Sequence, residues 1–520
     1  MKLLKLEEMT TEQKLGMTYC ARPSTDDDYE WVVEMIKKHA LGCVQVTAWR
    51  KERVDLIRSV ADYPIIIVCD TETGFPRSGL PAVPLMTLSA CDNEEYYELY
   101  AKGVVAGARK NGFNATWSPV VDVMHSIEHG ISPRKISDDP ARVCKGAEII
   151  SRVFKRNGYM SGAKHYPGGQ DMHYDSHMTA VYSCATEESL KECDLVPYKY
   201  LMDRGLLPAI MTSHHTYKNI DPEHPGTLSP KVQNIIREMG FDGITFTDSF
   251  AMMAILQKYG EENVCGMAIA AGNDVVLPNY RTPDRVAFSQ LVKNYEDGMF
   301  TEERLNEAAR RVLTAHEFIG AGAEAPDELT EEDIAKFANI ARDSVTAICD
   351  DDVTPALDPN KKHLFVVLTD NEFQPEDSNM EITEEVWYAP ENITHYIRAE
   401  FPDARISYLP EFPNWKDNER ILLDSAEVDD VVFVTFSTCP AYQGVNCLTR
   451  RVENLIDCTN LNGKLAGVVH FGTPTALLPL MHTKRMVFGY SMPMAQPYAF
   501  QVLSGKIPAK GTLPVNLKFN

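Results

Sequence analysis

The chain has 520 residues, with 51 Lys and Arg against 74 Asp and Glu, which gives a formal net charge of −23 at pH 7. This length exceeds what one hydrophobic core supports, so two or more domains are expected. The acidic balance and the lack of a basic tract argue against nucleic acid and anionic membranes as partners. No apolar run in the sequence is long enough to cross a bilayer.

The N-terminal segment and the cysteines indicate where the protein works. The segment MKLLKLEEMTTEQKLGM has no apolar signal region and no cleavage site. The 12 cysteines contain no CxxC pair, and several lie in apolar runs, such as Cys69 and Cys265. This pattern is typical of buried reduced thiols and not of a disulfide framework. We therefore expect a cytoplasmic protein.

Short continuous apolar runs, typical of buried parallel strands, recur through the first part of the chain. In chain order, the predicted strands are 42–46, 64–70, 114–120, 159–166, 207–215, 243–249 and 273–278. Helix-like segments such as 93–112 and 139–158 lie between them and end on Gly, as helices commonly do. Seven β/α-like units over about 310 residues predict a (β/α)₈ barrel with one strand undetected near the N-terminus.

Polar residues cluster at or just after these predicted strands. The set consists of Asp70, Asp122, Lys164, His165, His214, Asp248 and Asp274. In a barrel, the carboxyl ends of the strands and the loops after them form the active-site face. An isolated Asp or His at a strand end is more often a turn or cap residue, but the repetition at equivalent points predicts an active site there.

A second α/β series follows the segment 317–333, whose small, acidic and Pro/Gly-bearing composition is typical of a linker or surface connection. Its predicted strands are 363–370, 404–410, 431–438, 466–472 and 485–491. They predict an open, mostly parallel sheet with helices on both faces. The expected domains are therefore residues 1–330 and 331–520. No GxGxxG follows a strand and no GxxxxGK[ST] occurs, so no nucleotide cofactor is expected.

Two stretches contain residues suited to catalysis. In AKHYPGGQDMHYDSHMTA (163–180), Asp175 and His177 are two residues apart on a loop, where the carboxylate can hold the imidazole's tautomer. In GITFTDSFAM (243–252), Asp248 stands where a buried strand meets its loop. The four-residue spacing of His173 and His177 invites a metal interpretation. Because these histidines lie in a Gly-rich loop and not on a helix, no metal site is predicted.

Several motifs together resemble glycoside hydrolase family 3. KHYPGGQDMHYDSH is similar to the family's Lys-His-Phe-Pro-Gly loop ending in Asp-Ser-His, and matches best its β-N-acetylglucosaminidase branch. TDSFAM resembles the Ser-Asp-Asp-Leu-x-Met nucleophile strand, and CDTETGFPR (69–77) resembles the Asp-x-Glu-Gly-Gly segment. MTTEQKLGM, AGNDVVL and GTLPVNL match further landmarks in the right order. The resemblance implies a (β/α)₈ barrel followed by an α/β sandwich, as the periodicity does.

The resemblance also implies a role for each matching residue. Asp248 matches the nucleophile of a retaining glycosidase, and His177 matches the acid/base of the amino-sugar branch, oriented by Asp175. Asp122 matches a recurrent position of less defined role. The positions that match sugar-binding residues are Asp70, Arg134, Lys164 and His165. A small carbohydrate is the only partner that these motifs indicate, and no cofactor is implied.

The sequence departs from the family pattern at three points that line the expected site. Gly-His-Gly is Gly168-Gly169-Gln170, the Asp after the nucleophile is Ser249, and Glu-Gly-Gly is Glu72-Thr73-Gly74. The expected activity is hydrolysis of β-linked N-acetylhexosamine, above all N-acetylglucosamine. Three alternatives stay open: an N-acetyl-β-glucosaminide phosphorylase, a β-glucosidase or β-xylosidase of the same family, and a non-catalytic sugar-binding or scaffold protein.

Overall fold

A computed structural model describes most of the chain. The described residues are 1–47, 50–75, 78–125, 133–169, 174–323, 326–349, 356–369, 390–437, 442 and 448–517. They form two compact units. The first unit comprises Met1–Ala82 and the described part of 97–334 apart from Pro133, and the second comprises Val83–Tyr96, Pro133 and the described residues from Ala335 onward. Among the described helices, none combines the length and the apolar character that a membrane span requires.

The first unit is built on an eight-stranded parallel sheet that is almost closed. The strands of this unit, in chain order, are β1 (Cys20–Ala21), β2 (Cys43–Gln45), β3 (Ile66–Cys69), β4 (Ala115–Thr116), β5 (Met160–Tyr166), β6 (Tyr182–Ser183), β7 (Ala209–Thr212), β8 (Thr216–Tyr217), β9 (Ile244–Ser249) and β10 (Val275–Leu277). The order in the large sheet is β1-β2-β3-β4-β5-β7-β9-β10, and β6 pairs with β8 separately. A parallel bridge between Tyr19 and Val276 links its two edges, which confirms the predicted barrel.

Each of the seven predicted barrel strands contains an observed strand, and the undetected eighth is β1. Because β1 has only 2 residues, it is too short for hydrophobic periodicity to reveal it. Its pairing with β2, where Cys20 lies opposite Cys43, establishes it as part of the barrel.

Most helices of this unit follow the barrel strands, and several begin at a residue whose side chain caps the first turn. They are Thr11–Met17, Asp26–Lys37, Lys51–Val60, Glu94–Lys110, Pro140–Arg156, Glu187–Ser189, Val196–Asp203, Pro230–Glu238, Met253–Tyr259, Val264–Ala271, Asp284–Glu296 and Glu302–Ala321, with short 3₁₀ turns at Leu6–Glu8 and Gly226–Leu228 and a π turn at Leu190–Asp194. The side chain of Asp139 accepts the Ala141 N–H, and Pro140 occupies the first turn, where no N–H is needed. The last helix runs to Ala321, so the predicted linker from residue 317 begins too early.

Side chains from alternating strand positions fill the barrel. The buried interior includes Ile66, Trp117, Met211, Phe246 and Val275. The rings of Trp117 and Phe246 pack edge to face, with centroids 4.6 Å apart. Burying each large apolar side chain contributes roughly 2–3 kcal/mol. Because the interior is a packed core, polar chemistry is confined to the ends of the strands.

The second unit contains a six-stranded sheet. Its strands are β11 (Thr346–Cys349), β12 (His363–Thr369), β13 (Arg405–Pro410), β14 (Asp430–Phe436), β15 (Leu465–Phe471) and β16 (Arg485–Phe488). Their order is β11-β16-β15-β14-β12-β13, and only β11, which the periodicity did not indicate, is antiparallel among these strands. The helices of this unit are Leu85–Cys91, Glu331–Ser344, Pro390–Glu400, Trp415–Ala426, Arg450–Leu461 and Gln496–Leu503, with 3₁₀ turns at Pro474–Leu480 and Pro493–Ala495. The predicted α/β domain with a mostly parallel sheet is confirmed.

Candidate active site

Strand β9 carries Asp248 to the carboxyl end of the barrel. Residues Ile244–Thr247 of this strand are buried, whereas Asp248 and Ser249 are partly exposed. The N–H of Ser249 donates a hydrogen bond to Asp248 Oδ1 at 2.7 Å. The carboxylate is therefore held at the point where the buried strand opens to solvent.

Neighbouring polar groups keep the carboxyl group of Asp248 ionised. Burial by itself would raise the pKa of Asp248. The imidazoles of His165 and His214, the N–H of Ser249 and the ammonium group of Lys164 outweigh burial and lower the pKa to about 2. At neutral pH the group is a carboxylate, the form that a nucleophile requires.

Strand β5 contributes His165, which Asp122 orients through two hydrogen bonds. The backbone N–H of His165 donates to Asp122 Oδ1 at 2.8 Å, and its ring Nδ1–H donates to Asp122 Oδ2 at 2.8 Å. Asp122 is only 2% exposed. Burial favours its neutral form, but the charge and hydrogen bonds of His165 lower the pKa of Asp122 below its usual range. The Asp122 carboxylate thus fixes the tautomer and ring orientation of His165.

Lys164, the neighbour of His165 on β5, is a buried cation between two carboxylates. Its side chain contacts Glu72 directly and lies 3.4 Å from Asp70. Burial would lower the pKa of Lys164, but the charges of Glu72 and Asp70 raise it overall. The amide of Gln45 donates to the second oxygen of Asp70 at 3.2 Å. Asp70 is therefore held by both neighbours while its side chain remains 56% exposed.

Arg134 joins the same charge cluster through Glu72. The distance from Arg134 Nη1 to Glu72 Oε1 is 3.0 Å. Burial would raise the pKa of Glu72, but Lys164 and Arg134 lower it to about 2. One buried carboxylate therefore positions two cations, Lys164 from β5 and Arg134 from the segment after β4. Both cations are suited to hold the hydroxyl groups of a sugar.

The loop after β5 presents Asp175 and His177 as a hydrogen-bonded pair. Asp175 Oδ1 accepts the backbone N–H of His177 at 2.9 Å and its ring Nδ1–H at 2.8 Å. The carboxylate of Asp175 thus fixes the ring orientation of His177 through Nδ1. The N–H groups of Met253 and Ala254 donate to the carbonyl oxygens of His177 and Ser176, each at 3.2 Å. This loop is thereby attached to the segment that follows β9.

His214 is buried and interacts electrostatically with both Asp248 and His177. Its Nε2–H donates to the carbonyl oxygen of Ser249 at 3.0 Å, and its Nδ1 lies 2.8 Å from Thr227 Oγ1. Burial lowers the pKa of His214; Asp248 raises it, and His177 and His165 lower it further. These contacts brace the peptide after Asp248, as expected for a structural histidine.

Arg22 belongs to this site although the sequence did not indicate it. It follows β1, contacts the hydroxyl of Ser249 through Nη1, and lies 3.4 Å from the carbonyl oxygen of Pro278. Site residues were expected at or just after predicted strands. Because β1 is too short to be predicted, Arg22 was not recognised as following a strand. Glu72 was noted only as part of a motif, and its pairing with Lys164 depends on contact between β3 and β5 segments.

Asp274 does not belong to this site, which corrects its inclusion among the residues at the active-site face. It precedes β10 and is fully buried. Arg237 contacts it at 2.6 Å, Arg311 at 3.1 Å, and Arg304 also binds it. The Thr245 N–H, at the amino-terminal end of β9, donates to it at 3.0 Å. Asp274 therefore neutralises a cluster of arginines at the amino ends of β9 and β10.

The other predicted site residues share one end of the barrel. Hydrogen bonds, ion pairs or charge effects connect Asp70, Arg134, Lys164, His165, Asp175, His177 and Asp248 directly or through one intermediate residue. Gln170, one of the departures from the family pattern, and His173, considered above as a metal ligand, lie outside the described residues.

A barrel with an ionised Asp and a hydrogen-bonded Asp–His pair beyond the carboxyl ends of its strands is typical of a barrel enzyme, whose active site lies at this end. The model of the Glycosyl hydrolase family 3 N terminal domain matches residues 23–315, which is more than half of the chain. The chain therefore belongs to glycosyl hydrolase family 3 and is a glycoside hydrolase.

Relatives and a solved structure agree with this assignment. A "Beta-hexosaminidase" of Xanthomonas oryzae pv. oryzae is 30% identical over 297 residues, which span 54% of this chain and 83% of that protein. A "Beta-hexosaminidase" of Tolumonas auensis is 27% identical over 251 residues, which span 46% of this chain and 74% of that protein. The structure of a family 3 β-N-acetylglucosaminidase from Paenibacillus sp. str. FPU-7 covers 98% of this chain and 99% of its own, with a TM-score of 0.81 and 23% identity, a likeness of fold.

Proposed function

We propose that the enzyme hydrolyses terminal β-linked N-acetylhexosamine residues, above all N-acetylglucosamine, with retention of configuration at the anomeric carbon. The observation that carries this proposal is the presence, at one end of the barrel, of an ionised Asp248 and of a His177 whose Nδ1 is hydrogen-bonded to Asp175. Such an arrangement supplies a nucleophile and a proton donor in one site. All of the proposed residues lie within 1–330, which we regard as the catalytic domain.

In the first step, Asp248 attacks the anomeric carbon and a covalent glycosyl-enzyme forms. The bond from that carbon to the aglycone oxygen breaks, and the leaving oxygen takes a proton from His177 Nε2. Asp175 stabilises His177 while it carries the proton, because the carboxylate accepts the Nδ1–H at 2.8 Å. Retention requires a second inversion, which the next step supplies.

In the second step, water replaces Asp248 at the anomeric carbon. His177 Nε2, now without its proton, accepts one from the water as the oxygen attacks, so that the proton count of the enzyme is restored. The ester bond to Asp248 breaks and the carboxylate returns to its ionised state. The low pKa of about 2 makes Asp248 a good leaving group in this step.

Cationic and acceptor groups hold the sugar during both steps. Lys164 and Arg134 offer hydrogen-bond donors, and Asp70 offers acceptors at the open side of the cluster. His165, whose Nδ1–H is donated to Asp122, presents Nε2 as a further acceptor. Because Glu72 and Asp122 already fix the positions of these groups, the sugar meets a site that needs little rearrangement. The assignment to an N-acetylamino sugar is supported by the Asp-Ser-His loop and by relatives named β-hexosaminidase.

A panel of aryl β-glycosides tests this proposal. The N-acetylglucosaminide, N-acetylgalactosaminide, glucoside and xyloside are compared by kcat/KM, with and without phosphate, and the first product anomer is identified by NMR. We expect the N-acetylglucosaminide to be preferred, with free β-anomer released at a rate that phosphate does not change. A higher kcat/KM for the glucoside would refute the amino-sugar assignment. Formation of a sugar 1-phosphate would show that the enzyme is a phosphorylase and would refute hydrolysis as its activity.

A further inference from the structure

Apart from the residues assigned to catalysis, His125, Cys193 and Asp194 form a compact cluster of nitrogen, sulfur and oxygen ligands. One ligand atom from each residue lies within 4.8 Å of the other two. His125 comes from the segment after β4, whereas Cys193 and Asp194 are the last two residues of the π turn after β6. The N–H of Leu195 closes this turn by donating a hydrogen bond to the carbonyl oxygen of Leu190 at 2.7 Å. Such π turns are rare in proteins, and those that occur are often found at functional sites.

The cluster has one rigid member and an open side. Asp194 is only 3% exposed, and its Oδ1 accepts the Gly169 N–H at 2.6 Å and the His125 Nε2–H at 2.7 Å. A Cβ at Gly168 would lie 2.8 Å from the Asp194 side chain, so the glycine turn packs directly on this carboxylate. Cys193 is half-buried and His125 is exposed, so two of the three residues have solvent-accessible surface.

We infer that His125, Cys193 and Asp194 form a binding site for a divalent transition-metal ion of the zinc class. A thiolate and a carboxylate together balance the charge of such an ion, and imidazole is its common neutral ligand. Three protein ligands leave the fourth tetrahedral position to water. The thiol proton and the Nε2 proton of His125 are released to solvent when the ion binds.

The required geometry is close to the one observed. Bonds of about 2.0–2.3 Å at a tetrahedral angle separate neighbouring ligand atoms by about 3.3–3.8 Å. The His125–Asp194 pair, at 2.7 Å, has to open by about 1 Å, and the other separations, all within 4.8 Å, have to close by about 1 Å at most. Side-chain rotation of the exposed His125 and of Cys193 achieves this, while Asp194 keeps its bond to Gly169. The ion would lie beside the glycine turn that leads from His165 toward Asp175.

Cobalt and zinc binding test this site without any measurement of catalysis. The full chain, treated with chelator and reductant, is titrated with Co²⁺ and followed by the thiolate-to-cobalt charge-transfer absorption, and with Zn²⁺ by calorimetry. We expect one ion per chain with a thiolate band. Cys193→Ser should abolish the band, and His125→Ala should weaken binding at least ~10-fold. Circular dichroism and metal-free Tm establish that each variant is folded.

Two matched controls separate this site from adventitious binding. Cys184→Ser removes an exposed thiol outside the cluster, and His39→Ala removes a partly exposed imidazole that also pairs with a carboxylate, Asp62, at 2.8 Å. Both variants should bind the ion like the parent. The inference is overturned if the parent binds no ion, if Cys193→Ser keeps the parent's affinity and band, or if Cys184→Ser is the variant that loses them.

Discussion

The backbone N–H of Met253 donates a hydrogen bond to the carbonyl oxygen of His177 at 3.2 Å. The proposed acid/base loop is thus attached to the chain five residues after Asp248, at the end of β9. Because this attachment joins main-chain atoms, it does not depend on the imidazole of His177. Replacing that side chain should therefore remove the proton donor and leave the relation between the loop and the nucleophile strand unchanged.

Asp248→Asn should remove nearly all turnover, by about 10⁴-fold or more, because an amide cannot attack the anomeric carbon. The measurement is kcat on an aryl N-acetyl-β-glucosaminide, with circular dichroism as the check on folding. A mechanism-based fluorosugar should label the parent at Asp248. A label found by peptide mapping on another carboxylate, such as Asp70, would contradict the assignment.

His177→Ala should slow substrates with poor leaving groups far more than aryl glycosides with good ones, by about 10²–10⁴-fold for the former. Only a poor leaving group needs the proton in the first step. Steady-state kcat/KM over a series of leaving-group pKa values measures the difference. Equal losses across the series would speak against His177 as the proton donor.

Asp175→Asn should produce a milder form of the same selectivity. The amide can keep the 2.8 Å contact with Nδ1 but loses the charge that stabilises a protonated imidazole. The same leaving-group series measures this effect, and the losses should lie between those of the parent and of His177→Ala. A loss greater than that of His177→Ala would mean that Asp175 has a different role.

Glu72→Gln should lower the free energy of unfolding by about 3 kcal/mol at neutral pH, and the loss should shrink in acid. The folded pKa of Glu72 is about 2, below its ordinary value of 4.5, because Lys164 and Arg134 outweigh burial. Its contribution is therefore complete above pH 4.5 and disappears as the pH falls toward 2. Urea unfolding at several pH values measures the difference between parent and variant.

A surface substitution provides the control for that prediction. Glu30 is exposed on the helix Asp26–Lys37, so Glu30→Gln should change stability little at any pH. A difference between the parent and Glu72→Gln that stays constant from pH 7 to pH 3 would contradict the electrostatic explanation.

Asp274→Asn should destabilise the fold by about 3–5 kcal/mol without changing kcat in the protein that remains folded. The substitution leaves three arginines around a fully buried position without the compensating charge. Thermal unfolding measures the loss, and kcat per folded molecule is measured well below the Tm. A large fall in kcat at unchanged stability would contradict this assignment and would indicate that Asp274 acts in the active site.

The matched control is Asp242→Asn. Asp242 also pairs with Arg311, at 3.0 Å, but it is 66% exposed. Exposed ion pairs contribute about 0–1 kcal/mol, so this variant should unfold close to the parent. Equal destabilisation by both substitutions would mean that burial is not what makes the Asp274 cluster important.

Local patterns in the sequence were enough to predict the architecture. Seven continuous apolar runs correspond to barrel strands, and the chain order of strands and helices implies a parallel barrel followed by an α/β sheet domain. The Asp175–His177 pair was also predictable, because both of its hydrogen bonds span only two residues. Burial periodicity and short-range hydrogen bonds are properties of neighbouring residues, which a sequence displays directly.

The tertiary structure decided which charges meet. Asp248 and Asp274 both stand at strand boundaries, but one is surrounded by the histidines and lysine of the site and the other by three arginines. Glu72 pairs with Lys164, 92 positions away, and Arg22 reaches Ser249 because β1 closes the barrel. Such partners are set by strand register and barrel closure, which bring distant segments together through the burial of the whole core. No local pattern contains that information.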